Sequence, residues 1–195
     1  MSALTLLIIR HAEKPNENLP GPGLTEEGEP DDHSLVVRGW QRAGSWTALF
    51  GAGLGGNDYP QPHMIYAVDP NQENDQAGTD QLPSKRPFET VKPLSDRLHL
   101  DTITKWSLGQ ETELVAEITA LTGVVLLCWE HKHIVDFILP QLVHGQTLPG
   151  LPSKWNKERF DVVLRFDRQT AGAPWSFRQL FPRLLSGDSD VPLGR

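Results

Sequence analysis

The chain has 195 residues, enough for one domain to bury a hydrophobic core without a metal or a disulfide. Its 38% hydrophobic and 22% charged residues are typical of a globular protein and argue against a disordered or a membrane-spanning chain. The net charge of −7 argues against a broad surface for nucleic acid or anionic membranes, although one cleft can still be basic. We therefore expect a single domain over residues 1–195, with no nucleic-acid or membrane partner.

The compartment is predicted from the cysteine content and the N-terminus. Cys128 is the single cysteine, which excludes an intrachain disulfide and is typical of a reducing compartment. The apolar residues 4–9 are too short to span a bilayer, and they lack the basic region and cleavage site of a signal peptide. We expect a cytoplasmic protein.

The first half of the chain alternates predicted strands and helices. LTLLII at residues 4–9 is a continuous apolar run, which is typical of a strand covered on both faces. Residues 38–50 have apolar side chains at helical spacing and predict a helix. HMIYAV at residues 63–68 predicts a second buried strand. Residues 87–98 predict a helix that begins with a proline and is kinked or divided at Pro93.

The second half continues the alternation. Residues 111–123 predict a helix that stops at its terminal glycine, and GVVLLCW at residues 123–129 predicts a third buried strand. Residues 133–143 predict a helix that is bent or broken at Pro140. The chain closes with a predicted strand hairpin, residues 160–167 and 175–180.

These elements predict an α/β fold, a three-layer sandwich with a mostly parallel central sheet flanked by helices. The polar stretches between them predict loops, two of them long enough to suggest a site entrance or plain mobility. The predicted loops are residues 12–34, 51–62, 69–83 and 144–157.

Charged and imidazole side chains follow two of the predicted strands at the point where each strand ends. Arg10 and His11 come directly after the first strand, and Glu130 and His131 come directly after the third. Because ligands of open α/β sheets bind beyond the carboxyl ends of the strands, we expect the two histidines to face one another.

Arg86 adds a second arginine at a predicted helix start. The following Pro87 disfavours helical backbone at Arg86, so we expect an extended residue whose guanidinium points along the same edge. A helix N-terminus also presents unpaired N–H groups, which favour anions. Two arginines, two histidines and a helix start predict a cradle for a phosphoryl group, which matches the planar fork of arginine.

Four segments resemble the histidine phosphatase superfamily, which includes the phosphoglycerate mutases. IIRHAEKP at residues 8–15 resembles its Arg-His-Gly signature, with alanine in place of the glycine. SKRPFET at residues 84–90 is similar to its Ser-x-Arg-x-x-(Glu/Gln)-Thr segment, and VLLCWEHKHI at residues 125–134 resembles the strand that delivers the second histidine. RGWQRAGSWTALF at residues 38–50 resembles the helix after the first loop. The segments occur in family order.

The resemblance implies a phosphoglycerate mutase-like fold and a role for each matched residue. His11 would be the nucleophile that forms a phosphohistidine, and His131 would act with it on the transferring group. Arg10 and Arg86 would bind the phosphoryl group and stabilise its charge, with no metal and no cofactor. This is physically coherent, because nearby guanidinium charges disfavour protonation of the attacking imidazole.

The general acid that protonates the leaving oxygen stays open. In better-known members it is a carboxylate between the second arginine and the second histidine, or an aspartate directly after that histidine. Lys132 follows His131 here, so the latter option is absent. The unranked candidates are Glu13, Asp101, Glu111 and Glu113.

His133 has a second interpretation, because His-x-His is a spacing found in metal sites. Without a third ligand in view, we expect no metal, and His133 is interpreted as a helix-face residue.

The sequence therefore predicts a metal-independent phosphatase that acts on a phosphorylated small molecule or a phosphoprotein through His11. The alternatives are a phosphoglycerate mutase-like phosphotransferase and a non-catalytic phosphate binder that has lost its general acid. The physiological substrate and the oligomeric state stay open.

Overall fold

A computed structural model describes residues 3–19, 21–71 and 85–194 of the chain. Within them six strands form one sheet in the order β3-β2-β4-β1-β5-β6. Strands β1 to β4 are parallel, whereas β5 runs antiparallel to β1 and β6 antiparallel to β5. The strands are β1 (Leu4–Arg10), β2 (Met64–Ala67), β3 (Thr102–Ile103), β4 (Gly123–Trp129), β5 (Val163–Arg168) and β6 (Ser176–Leu180).

Helices cover both faces of the sheet, because the buried strands are apolar on both sides. One face packs against side chains such as Trp46 of α1 and Leu94 of α2, and the other against Leu114 of α3 and Ile138. The predicted three-layer α/β sandwich is confirmed. The helices are α1 (Val37–Gly51), α2 (Arg86–Leu98), α3 (Glu111–Thr119), α4 (His131–His133), a π-helical segment (Ile134–Ile138) and α5 (Leu139–Val143).

Helix α2 differs from the prediction at its start and at its interior proline. It begins at Arg86, which is helical rather than extended, because the Glu89 amide closes the first turn on the Lys85 carbonyl. It also continues unbroken through Pro93. A proline removes one backbone hydrogen bond, and burial of Val91 and Leu94 against the sheet holds the helix despite this loss.

Other elements also differ from the sequence expectation, mostly at their ends. Helix α3 ends at Thr119, because the amides of Ala120 and Leu121 bond three residues back and tighten the last turn. The helical stretch after β4 begins at His131, and its turns widen into the π-helical segment before Pro140, which lacks an N–H. The two-residue strand β3 was not predicted.

Residues 72–83 of the predicted loop 69–83 lie outside the described residues. Among the described helices, none is long and apolar enough to cross a bilayer.

Candidate active site

The two histidines leave the sheet side by side. Strands β1 and β4 are parallel neighbours whose register places Arg10 opposite Trp129. One residue further on, the His11 amide donates a hydrogen bond of 3.1 Å to the Trp129 carbonyl. His11 and His131 therefore emerge at the carboxyl edge of two adjacent strands, where ligands of α/β sheets bind.

The first turn of α2 is fixed against the residue after His11. The Ala12 amide donates to the Thr90 hydroxyl at 2.8 Å, and the same hydroxyl donates to the Arg86 carbonyl at 2.7 Å. The structure thus brings Arg86 to the edge that holds Arg10 and His11.

His11 is buried in a defined tautomer. Its Nδ1 lies 2.7 Å from the Ala12 carbonyl oxygen, which can only accept, so Nδ1 carries the ring proton. The lone pair is therefore on Nε2. Burial, followed by the charge of Arg10 and that of Arg86, holds the pKa of His11 well below its ordinary value. The ring is neutral at physiological pH, the state that a nucleophile requires.

Arg10 is a buried cation next to His11. Its guanidinium lies over the Phe160 ring at 4.0 Å, and its Nη1 donates to the Lys157 carbonyl at 2.6 Å and the Arg159 carbonyl at 3.2 Å. Burial lowers the pKa of Arg10 to about 10, so it stays charged at neutral pH. Its buried Nε has no partner among the described residues. A buried N–H without an acceptor is costly, and an anion would satisfy it.

Arg86 is oriented by the loop before α1. Its Nε donates to the Ser34 carbonyl at 3.2 Å, and its Nη2 donates to the Asp32 carbonyl. Glu89, one turn along α2, fixes the same loop by accepting from the Ser34 hydroxyl at 2.5 Å and the Leu35 amide at 2.9 Å. Backbone carbonyls thus hold Arg86, and it keeps its positive charge without a direct carboxylate partner among these contacts.

Glu130 is a site residue to which sequence reasoning assigned no role. Its Oε2 accepts the amides of Lys132 at 2.7 Å and His133 at 3.0 Å, so it caps the helix that begins at His131. Its Oε1 lies 2.5 Å from His131 Nδ1, although at an angle short of a hydrogen bond. Burial alone would raise the pKa of Glu130, but the contacts with His131 and the two amides lower it to about 2. Its position directly before a helix could have predicted this capping role from the sequence.

Lys14 adds a cation that the sequence analysis did not single out. It is half-buried, and its pKa is lowered by that burial and then by the charges of Arg86 and Arg10. Lys14 therefore lies close enough to Arg10 and Arg86 for the three charges to interact.

The four candidate general acids fall into two groups. Glu13 and Glu111 are buried and already engaged, Glu13 by Arg42 at 2.7 Å and Glu111 by the Trp129 indole N–H at 3.0 Å. Asp101 and Glu113 are exposed, and Asp101 lies just before β3 at the outer edge of the sheet.

His133 is paired with Glu111 rather than with His11 or His131. Its Nδ1 lies 2.7 Å from Glu111 Oε1. Burial alone would lower the pKa of His133, but the hydrogen bond and charge of Glu111 raise it. Conversely, burial would raise the pKa of Glu111, and the bonds from His133 and Trp129 lower it. Among the described residues no group of three or more His, Cys, Asp or Glu side chains could hold a metal ion.

This pair predicts a pH dependence of stability. The Glu111 contribution is present above the ordinary glutamate pKa of 4.5 and is lost as pH falls through its lowered folded pKa. The His133 contribution is present below the ordinary histidine pKa of 6.5 and is lost as pH rises through its raised folded pKa. We expect His133→Gln to lower the free energy of unfolding by about 1 kcal/mol. The decrease should be largest between pH 4.5 and pH 6.5, where both contributions are present.

Urea unfolding of both proteins from pH 4 to pH 9 measures this difference. His99→Asn is the matched control, because His99 is exposed at the left-handed end of α2, a conformation that asparagine tolerates. A His133→Gln difference that is the same at all pH values would contradict the prediction.

Comparisons with known proteins identify the fold. No protein-family model matches the sequence, and no curated protein is a detectable relative. The solved protein histidine phosphatase SixA, complexed with tungstate, matches with a TM-score of 0.54 and 14% identity over 91% of this chain and 97% of SixA. A mycobacterial glucosyl-3-phosphoglycerate phosphatase matches with a TM-score of 0.54 and 14% identity, over 92% and 98% of the two chains.

A third solved structure, mycobacterial hydrolase 2, matches with a TM-score of 0.54 and 14% identity, over 97% of this chain and 95% of the hydrolase. At these identities the similarity shows the fold, and it extends over nearly the whole length of each chain. The chain has the phosphoglycerate mutase-like α/β fold of these solved structures, as its sequence resemblance implied.

Proposed function

We propose that this protein is a histidine phosphatase that transfers a phosphoryl group from a phosphorylated substrate to water through His11. The observation that carries the proposal is the state of His11, a neutral imidazole with a free Nε2 next to the buried cation Arg10. The similarity of the fold to SixA and to the mycobacterial phosphatase supports it.

The proposed reaction has two displacements. The Nε2 lone pair of His11 attacks phosphorus, a phosphorus–nitrogen bond forms, and the bond to the leaving group breaks. Water then attacks the phosphohistidine, which releases inorganic phosphate and returns the electron pair to Nε2. Arg10, Arg86 and His131 stabilise the negative charge that the transferring group carries in both steps.

Glu130 indicates which leaving groups suit this site. With a pKa of about 2 it is ionised at neutral pH and has no proton to donate. The candidate acids Glu13 and Glu111 are also engaged, by Arg42 and by the Trp129 indole, so we expect the best substrates to have leaving groups that depart without full protonation. SixA is a protein histidine phosphatase and the mycobacterial neighbour a glucosyl-3-phosphoglycerate phosphatase, so both a phosphoprotein and a phosphorylated small molecule are candidate substrates.

Three further properties and two alternative functions complete the proposal. A single domain over residues 1–195, the absence of a cofactor and a cytoplasmic location stay predictions. The phosphoglycerate mutase-like transfer is the alternative that moves phosphate between two hydroxyls of one substrate without releasing it. The second alternative is a non-catalytic binder, which has the same cationic residues and binds a phosphorylated ligand without hydrolysing it.

The test is hydrolysis of para-nitrophenyl phosphate, whose leaving group needs little protonation. We expect turnover without added metal, and a trapped adduct that is labile to acid and stable to alkali. Vanadate should inhibit by occupying the cradle.

A matched pair of arginines on α2 provides the control. Arg86→Met should raise the vanadate Kd by about tenfold or more, since a hydrogen bond to a charged group contributes about 1.5–3 kcal/mol. Arg97→Met removes the same charge from the last turn of the helix, where Arg97 donates to the Gly51 carbonyl, and should leave Kd unchanged. An inert protein that still binds vanadate through Arg86 would favour the binder instead.

A further inference from the structure

The C-terminal segment, residues 184–191, lies against the active-site edge although it contains no helix or strand. It is folded around Asp188, whose Oδ2 accepts the Leu185 amide at 2.9 Å and whose own amide donates to the Leu185 carbonyl at 3.1 Å. Gly187 has φ +87°, a left-handed conformation that glycine adopts without strain and that this tight turn requires. The turn directs the Asp188 carboxylate into the molecule, where its side chain is 3% exposed.

The first connection runs from this segment to the residues after His11. Arg42 on α1 is 2% exposed and donates to Asp188 at 2.8 and 3.1 Å. Its other N–H groups donate to Glu13 at 2.7 and 3.0 Å. Because Glu13 follows His11 by two residues, the Asp188–Arg42–Glu13 chain fixes the backbone that carries the proposed nucleophile.

The second connection runs from the same segment to Arg10. Arg159 donates to the Ser189 carbonyl at 3.0 Å and the Val191 carbonyl at 2.6 Å, and Asp161 accepts the Ser189 amide at 2.7 Å. The Arg159 carbonyl in turn accepts from Arg10, whose guanidinium stacks on Phe160. The loop that orients Arg10 is thus itself held by residues 189–191.

The space between the two connections is a cavity of about 180 Å³. Glu13, Arg42, Phe160 and Asp188 contribute to its walls. The polar contacts of Arg42 with Glu13 and Asp188 therefore join the C-terminal segment to the residues after His11 along one wall of this cavity.

We infer that the C-terminal segment positions Arg10 and His11, and that Asp188 and Arg42 are positioning residues for the proposed phosphoryl transfer. The inference rests on the proposed function, since it assigns to these residues the alignment of the attacking nitrogen. Displacing a reacting group by about 1 Å can cost about 100-fold in rate.

The first experiment compares the kinetics of Asp188→Asn and Asp188→Glu with the wild type. Asp188→Asn keeps the shape and one acceptor oxygen but removes the charge that holds Arg42. We expect kcat for para-nitrophenyl phosphate to fall about 10- to 100-fold with KM unchanged, the pattern of a lost transition-state alignment. Asp188→Glu keeps the carboxylate and should restore part of kcat.

The second variant addresses the other connection. Arg159→Gln loosens the loop that orients Arg10, so we expect the vanadate Kd to rise about tenfold. Arg183→Ala is the control for both, because Arg183 forms an exposed ion pair with Asp190 at 3.6 Å in the same stretch of chain. It should match the wild type in kcat, KM and Kd.

A readout without turnover separates this inference from the proposed function. The ¹⁵N resonances of the His11 ring should shift or broaden in Asp188→Asn and not in Arg183→Ala. If the wild type does not hydrolyse para-nitrophenyl phosphate, the proposed function fails, and these resonances still decide whether Asp188 positions His11.

Two results would overturn the inference. One is a folded Asp188→Asn protein with wild-type kcat and unchanged His11 resonances. The other is a loss of kcat that equals the unfolded fraction at the assay temperature, determined from thermal melting, since the segment would then serve stability alone.

Discussion

His11→Ala is expected to abolish hydrolysis of para-nitrophenyl phosphate, with kcat reduced by at least about 10⁴-fold. The variant lacks the Nε2 lone pair, so no phosphorus–nitrogen bond can form and the reaction must proceed by direct attack of water. Because Arg10, Arg86 and His131 remain, vanadate should still bind. Steady-state kinetics together with a trapping experiment for the acid-labile adduct measure both consequences.

His144→Asn is the matched control for this substitution. His144 is an exposed histidine at the left-handed end of α5, where asparagine is tolerated. Its variant should retain wild-type kcat. Hydrolysis by His11→Ala at the wild-type rate, or an acid-labile adduct formed by that variant, would show that another group is the nucleophile.

Arg42→Met should have the largest effect on stability, lowering the free energy of unfolding by about 3–5 kcal/mol. Arg42 lies between Glu13 and Asp188, and all three side chains are at most 3% exposed. Methionine fills a similar space but leaves two buried carboxylates whose other cationic neighbour among the described residues is the more distant Arg38, at 3.3 Å from Glu13 and 3.9 Å from Asp188. The Leu185 amide would still donate to Asp188. Denaturant unfolding measures the loss.

The loss of stability caused by Arg42→Met should also depend on pH. Burial alone would raise the pKa of Asp188, but the hydrogen bonds from Arg42 and the Leu185 amide lower it below its ordinary value of 3.8. This contribution is present above the ordinary pKa and disappears as pH falls through the folded value. The stability difference between wild type and Arg42→Met should therefore shrink on acidification below that pH. A difference that is constant with pH, or no larger than that of Arg183→Ala, would contradict the role of this ion-pair chain.

The sheet and the helices were predictable because their signals are local. Continuous apolar runs identified β1, β2 and β4, and helical spacing identified α1 to α3. The boundaries were less predictable, since they depend on tertiary packing. Pro93 should break an isolated helix, yet α2 continues through it because burial against the sheet offsets one lost hydrogen bond.

The candidate site was predictable where strand ends determine position. Arg10 ends β1, His11 follows it, and His131 comes two residues after the end of β4, so sheet topology alone places them at one edge. Asp188 was not predictable as a partner of Arg42, because 146 residues separate them and nothing in the local sequence indicates the contact. The capping role of Glu130 could have been predicted from the sequence, since an acidic residue before a helix start is a typical N-cap.

The first turn of α2 constrains the spacing of the residues that follow Arg86. Glu89 and Thr90 follow Arg86 by three and four residues, so a helix places all three on one side, where they contact the connection between β1 and α1. A single inserted residue after Arg86 would rotate Glu89 and Thr90 by about 100° about the helix axis relative to Arg86, so the three side chains could no longer contact this connection together. The spacing of Arg-x-x-Glu-Thr is thus fixed by the helical repeat, because insertions or deletions inside it would disrupt the packing of α2 against the loop.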